Sequence, residues 1–208
     1  MLKFIGTGSA FNTKLGNNSA YIKEDGKLFL IDCGSSNFGI MKESGFLDDV
    51  EEIHVYITHT HADHVGSLAD LIFYMFYCKG EFKPRVTVYA VYTLDVDLYL
   101  SLNGISKNVY QYKTLEEKEL FKIKELPLII APIKTEHVEE LDSYGVVIKH
   151  ITSGKNVFYT GDTNILSKDI NDALEGDLDY LYVDTCSQDY KGNVHLSLFK
   201  LHQAIKKE

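Results

Sequence analysis

The chain has 208 residues, of which 45% are hydrophobic and 25% charged, an ordinary globular balance that can bury a sizeable core. Thirty acidic residues against 21 basic ones leave a formal charge of −9, which argues against a broad electrostatic footprint for nucleic acid or an anionic membrane. No run approaches the roughly 18 to 20 apolar residues of a membrane span, and Met1 to Gly8 lacks the order of a secretory signal.

Leu2 to Ile5, Ala20 to Lys23 and Leu28 to Ile31 read as strands between Gly- and Asn-rich turns. Ile53 to Thr58, apolar and β-branched, is another strand and ends directly at His59. Ser67 to Cys78 carries apolar residues at helical spacing, with Ser67 at its N-cap. Val86 to Ala90, Leu128 to Ile133, Gly145 to Ile151, Val157 to Thr160 and Leu178 to Val183 are further strand candidates, and Leu196 to Ile205 a terminal helix. Glu116 to Glu125 is the most charged stretch and reads as a solvated surface segment. No composition shift, long linker or repeat marks a boundary, so residues 1–208 are expected to form a single domain of α/β class.

Three cysteines, Cys33, Cys78 and Cys186, have no metal-ligand spacing and form no evident disulfide framework. A reducing cytoplasm is the expected location. Each cysteine reads as a small buried apolar residue, with Cys33 singled out by its place at a strand end. His54 and His150 lie in strand-like runs and read as ordinary packed or surface residues. Tyr74, Tyr77 and Tyr144 lie near the motif segments; a core or surface role is the default for each, with base stacking the alternative.

Chemistry enters at His59, His61, Asp63 and His64, which put three imidazoles and a carboxylate within six residues. Imidazole nitrogen and carboxylate oxygen suit Zn²⁺ and neighbouring divalent transition metals. Alternation sends His59 and His61 to one side, and a tight turn lets Asp63 and His64 face a second position nearby. With only 8 histidines in the chain, such a pattern has chance odds of roughly one in a thousand.

The run His59-Thr60-His61-Ala62-Asp63-His64 resembles the HxHxDH signature of the metallo-β-lactamase superfamily, and later segments follow in the same order. His137, in Thr135-Glu136-His137-Val138, matches the third histidine of the first metal site. Asp162, in Phe158-Tyr159-Thr160-Gly161-Asp162-Thr163, matches the carboxylate that bridges the two metals. The Asp32-Cys33-Gly34 turn and the opening Phe4 to Ser9 fit as well. The resemblance implies a four-layered αββα sandwich with two divalent metal ions, zinc foremost and manganese as the alternative. It implies His59, His61 and His137 at one ion, with Asp63, His64 and Asp162 at the other. The shared chemistry is hydrolysis by a metal-bound hydroxide, whose pKa the two cations lower, and Asp63 is expected to orient that hydroxide.

Within the superfamily the chain is most similar to the phosphodiesterase branch, which includes ribonuclease Z and small cyclic-nucleotide phosphodiesterases. Gly6-Thr7-Gly8-Ser9-Ala10 opens as that branch opens, and Ser143-Tyr144-Gly145-Val146 after His137-Val138 resembles its third motif. Asp184-Thr185-Cys186 followed by His195-Leu196-Ser197 resembles a segment whose histidine protonates the leaving oxygen, so His195 joins Asp63 as an expected catalytic residue. A phosphodiester needs that help because its alkoxide is a poor leaving group until protonated.

Two departures bear on this reading. The family's last metal-ligand histidine lies on a strand beyond the helix that follows the His195 position, and the 208 residues stop before such a strand. Either the second ion lacks that ligand, or His195 replaces it (His202 being the weaker substitute), or the sequence is a shortened version of a longer one. Only 25 positions separate His137 from Asp162, which leaves no room for the tRNA-gripping arm that ribonuclease Z often inserts there. The leading expectation is therefore a phosphodiesterase acting on a small-molecule phosphodiester such as a cyclic nucleotide, with extended nucleic acid and membrane disfavoured as partners. The alternatives are an RNA (tRNA 3′-end) endonuclease, a lactone, thioester or β-lactam hydrolase on the same fold, and a metal-binding scaffold without catalysis. A homodimer is the expected assembly if copies associate.

Overall fold

The structure is a computed structural model that describes residues 1–12, 14–166 and 178–205. It divides into two compact units, Met1–Leu115 and Glu116–Glu208.

The first unit is built on a six-stranded sheet. Its strands are β1 (Lys3–Gly6), β2 (Ser19–Glu24), β3 (Lys27–Ile31), β4 (Glu52–Tyr56), β5 (Val86–Val91) and β6 (Gln111–Leu115), side by side in chain order. The first three form an antiparallel meander, and β3 to β6 run parallel. Parallel neighbours need crossovers. These are α1 (Asn37–Glu43) after β3, α2 (Ala62–Val65) and α3 (Leu68–Tyr74) after β4, and α4 (Val96–Leu102) after β5. Every residue of β5 is buried, as are four of the five in β3 and in β4. Strands covered on both faces need apolar and β-branched residues throughout, which is why these segments are legible as continuous runs.

The second unit carries a five-stranded sheet in the order β11-β10-β9-β8-β7. Its strands are β7 (Phe121–Ile123), β8 (Leu128–Val138), β9 (Leu141–His150), β10 (Lys155–Tyr159) and β11 (Tyr180–Tyr182). Neighbours are antiparallel except for the parallel pair β10 and β11. Ile133 and Phe158 are buried at its core, with Val147, Leu166, Leu178 and Leu181 packed against them. Helix α5 (Leu198–Ile205) closes the described chain.

Several expectations change on contact with the structure. Strand β8 continues past Ile133 to Val138. Its polar end keeps period-two alternation, with Lys134 and Glu136 exposed and Thr135 and His137 buried. Part of the charged stretch Glu116 to Glu125 is strand: Phe121–Ile123 pairs with β8 and buries Ile123. The helix from Ser67 to Cys78 forms as α3 followed by a π-helical turn over Met75–Lys79. Ser67 makes no side-chain cap bond to it. Its hydroxyl instead donates to the Gly34 carbonyl (2.6 Å) and accepts from the Phe38 amide (3.1 Å), fastening the loop after β3. Cys78 is exposed on the π turn rather than buried. His54 is an ordinary packed residue, its Nδ1 2.9 Å from the Tyr89 hydroxyl, and Tyr144 is a buried residue of β9.

Candidate metal centre

Strands β3 and β4 pair in parallel with Ile31 opposite Tyr56, so Asp32 and the Ile57-Thr58-His59 segment leave the sheet at the same end. Asp32 takes a left-handed backbone (φ 64°) and is fully buried. Its carboxylate accepts hydrogen bonds from the Thr58 amide, the Thr58 hydroxyl and the His64 Nδ1, each at 2.8 Å. The Thr58 oxygen accepts in turn from His59 Nδ1 at 3.0 Å. Burial pushes the Asp32 carboxyl above its ordinary value, opposed by His64 and by the two bonds from Thr58.

His59 and His64 thus both have their Nδ1 atoms engaged. His59 Nε2 lies 3.1 Å from His61 Nδ1, and the His59 and His64 rings are 4.0 Å apart. Two imidazole ligands on one tetrahedral ion, with bonds of about 2.0–2.1 Å, are separated by roughly 3.3 Å, so the His59 and His61 nitrogens fit a shared ion. Asp63 and His64 follow on α2, with His64 Nε2 3.5 Å from Asp63 Oδ2. The loop after β3 packs tightly against this helix. Cys33 and Ser35 amides donate to the His64 and Ala62 carbonyls (2.7 and 3.0 Å), and a Cβ on Gly34 would overlap the Asp63 carbonyl. Cys33, singled out from its position, is chemically quiet: burial pushes its thiol to about 12, so no thiolate forms near neutral pH.

In the second unit β8 delivers His137, and the turn after β10 delivers Asp162. Both are buried. His137 Nδ1 donates to the Val194 carbonyl (2.8 Å), which leaves Nε2 to face Asp162 Oδ2 at 3.6 Å. His195 lies beside them, its Nδ1 3.8 Å from Asp162 Oδ2. His137, Asp162 and His195 each offer a donor atom, mutually within 4.8 Å. Asp184, which follows β11, binds His195 Nδ1 at 2.6 Å. Its own backbone amide donates to Thr160 Oγ1 (3.0 Å), and its carboxylate accepts from the Thr163 amide (3.2 Å). The pair with Asp184 raises His195 to about 9, against partial burial that works the other way.

The structure thus brings His59, His61, Asp63 and His64 together in one unit, and His137, Asp162 and His195 together in the other. The individual roles of Asp32, Thr58 and Asp184 are not in the sequence reading. A buried strand-end aspartate has to find hydrogen-bond donors, and that is the signal available for Asp32. The donor set fits divalent metal: ligating histidines characteristically donate their other ring N–H to a carboxylate, hydroxyl or carbonyl, as His64, His59 and His137 do.

Solved structures share this architecture. A diphosphatase from the PhnP family superposes with a TM-score of 0.77, covering 99% of this chain and 81% of its own at 19% identity. Human tRNase Z, short form, gives 0.75, covering 99% and 87% at 18% identity. The architecture is the metallo-β-lactamase fold, the α/β class expected from the resemblance, and the donor set it carries suits divalent metal. The chain belongs to the Anti-Pycsar protein Apyc1 family, whose model matches residues 1–208. The Anti-Pycsar protein Apyc1 of Bacillus phage BSP38 is 32% identical over 224 residues, covering 100% of this chain and 84% of that protein.

Proposed function

We propose that the protein is a phosphodiesterase that cleaves a small phosphodiester such as a cyclic nucleotide, with two divalent ions, zinc foremost, as cofactors. In this reading residues 1–208 act as a single hydrolase domain in the cytoplasm. His59, His61 and His137 hold one ion, and Asp63, His64 and Asp162 hold the other. Bound there, the ions would acidify a water molecule and neutralise charge on the attacked phosphate.

The observation that carries the reading is the His195–Asp184 pair, 2.6 Å apart and beside Asp162. Asp184 engages Nδ1 and raises the imidazole above its ordinary value, which favours the protonated form with Nε2–H available to donate. An alkoxide leaving group departs readily only when protonated, and a general acid in that position supplies the proton. The small-substrate side is supported by the net charge of −9. It is supported too by the span from His137 to Asp162, which the end of β8, the two-residue β8–β9 turn, β9, the four-residue turn after it and β10 take up almost entirely. Among the described residues no helix is long and apolar enough to cross a membrane.

A second reading makes His195 a metal ligand, and its place within 4.8 Å of His137 and Asp162 donors favours it. Turnover of purine and pyrimidine cyclic nucleotides, bis-p-nitrophenyl phosphate, a lactone and a chromogenic β-lactam by metal-loaded protein tests the function. Hydrolysis confined to the phosphodiesters is the expected result. Turnover of only the lactone or the β-lactam would overturn the proposal.

A further inference from the structure

We infer that Thr58 is a positioning residue that, together with Asp32, ties one ligand of each proposed metal ion to a single buried carboxylate. The inference rests on the metal assignment above and adds a residue outside it. Its basis is a hydrogen-bond chain closed to water: Asp32, Thr58 and His59 are 0% exposed and His64 is 2% exposed.

The direction of each bond follows from the chemistry of the groups. A carboxylate can only accept, so the Thr58 hydroxyl gives its one hydrogen to Asp32 Oδ2 (2.8 Å). The same oxygen can then meet His59 Nδ1 at 3.0 Å only as an acceptor. His64 Nδ1 donates to Asp32 Oδ2 directly, at 2.8 Å. Both imidazoles are held with the proton on Nδ1 and the lone pair on Nε2, the atom that faces His61 Nδ1 in His59 and Asp63 Oδ2 in His64. Asp32 sets this state for His64 by contact and for His59 through Thr58.

Valine has the shape of threonine without the hydroxyl, so T58V removes the link to His59 while the residue 58 amide still donates to Asp32 Oδ1, as Thr58 does at 2.8 Å. Serine keeps the hydroxyl. The test measures the affinity of both zinc ions by competition with a chromogenic chelator in wild type, T58V and T58S. In T58V the ion bound by His59 should be held roughly 10- to 100-fold more weakly, the usual effect of losing an outer-shell partner. The other ion should change by less than about tenfold, because His64 keeps its bond to Asp32. T58S should recover most of the loss.

Two ions bound by T58V with wild-type affinity would overturn this inference and leave the metal assignment standing. Wild type that takes up no ion would overturn the assignment and the inference with it. If T58V does not fold, long-range ¹H–¹⁵N spectra of zinc-loaded wild type decide the matter. A proton on Nδ1 of both His59 and His64 supports the inference, and a proton on His59 Nε2 overturns it.

Discussion

His195 Nδ1 lies 2.6 Å from Asp184 Oδ2, and through Asp184 the imidazole is tied to the turns that follow both β10 and β11. A histidine oriented by a carboxylate at one nitrogen has only its other nitrogen for chemistry. His195→Ala is therefore expected to cost roughly 10²- to 10⁴-fold in rate on a cyclic nucleotide. On a nitrophenyl ester, whose leaving group needs no proton, the cost should be far smaller, with metal content unchanged. Parallel loss on both substrates with metal depleted would make His195 a ligand instead.

The same pair predicts a pH dependence. Asp184 is the main cause lifting His195 from 6.5 to about 9, so the acid form persists through neutral pH and is lost as pH rises through about 9. In stability terms the pairing contributes fully below 6.5 and fades over that same window. Asp184→Asn should draw the alkaline limb of kcat/KM toward lower pH. A limb that stays in place would separate Asp184 from the acid.

Purified protein is expected to carry transition metal, to lose activity to a chelator, and to regain it with Zn²⁺ or Mn²⁺. Asp63→Ala should abolish turnover while elemental analysis still finds one of the two ions, because Asp63 is assigned to the second ion only. A folded Asp63→Ala protein with its rate retained would show the assignment to be wrong.

Gly34→Ala addresses packing rather than chemistry. A Cβ there would overlap the Asp63 backbone carbonyl, and the hydrogen bonds from Cys33 and Ser35 to α2 leave the loop little room to yield. A loss of about 1–3 kcal/mol is expected, read as a lower melting temperature of the metal-free protein. Unchanged stability would mean that the loop moves freely.

What the sequence made legible was what is local. His59 to His64 is readable because the ligand chemistry lies within six residues, and β3 to β5 because both faces are buried. Asp32 is opaque as a residue with a role: its partners Thr58 and His64 lie 26 and 32 residues away and reach it only through the β3–β4 pairing. Helix α4 escapes pattern reading because it is only seven residues long and starts from a left-handed Asp95 without a side-chain cap. Strand β6 escapes because the edge of the sheet leaves most of Gln111–Leu115 exposed, removing the apolar run that marks β5. His137 sits in a polar stretch whose alternation becomes visible only once β9 is paired beside it.

The parallel pairing of β3 with β4 also has a consequence for how the molecule is made. Parallel strands joined by a crossover are non-local contacts, which form slowly because chain entropy is lost before the contacts repay it. Asp32 cannot fix the orientation of His59 and His64 until that pairing exists, so a nascent or unfolded chain offers its histidines unaligned. An ion that needs them aligned therefore selects the finished sheet, and its binding adds to the stability of the native state by mass action.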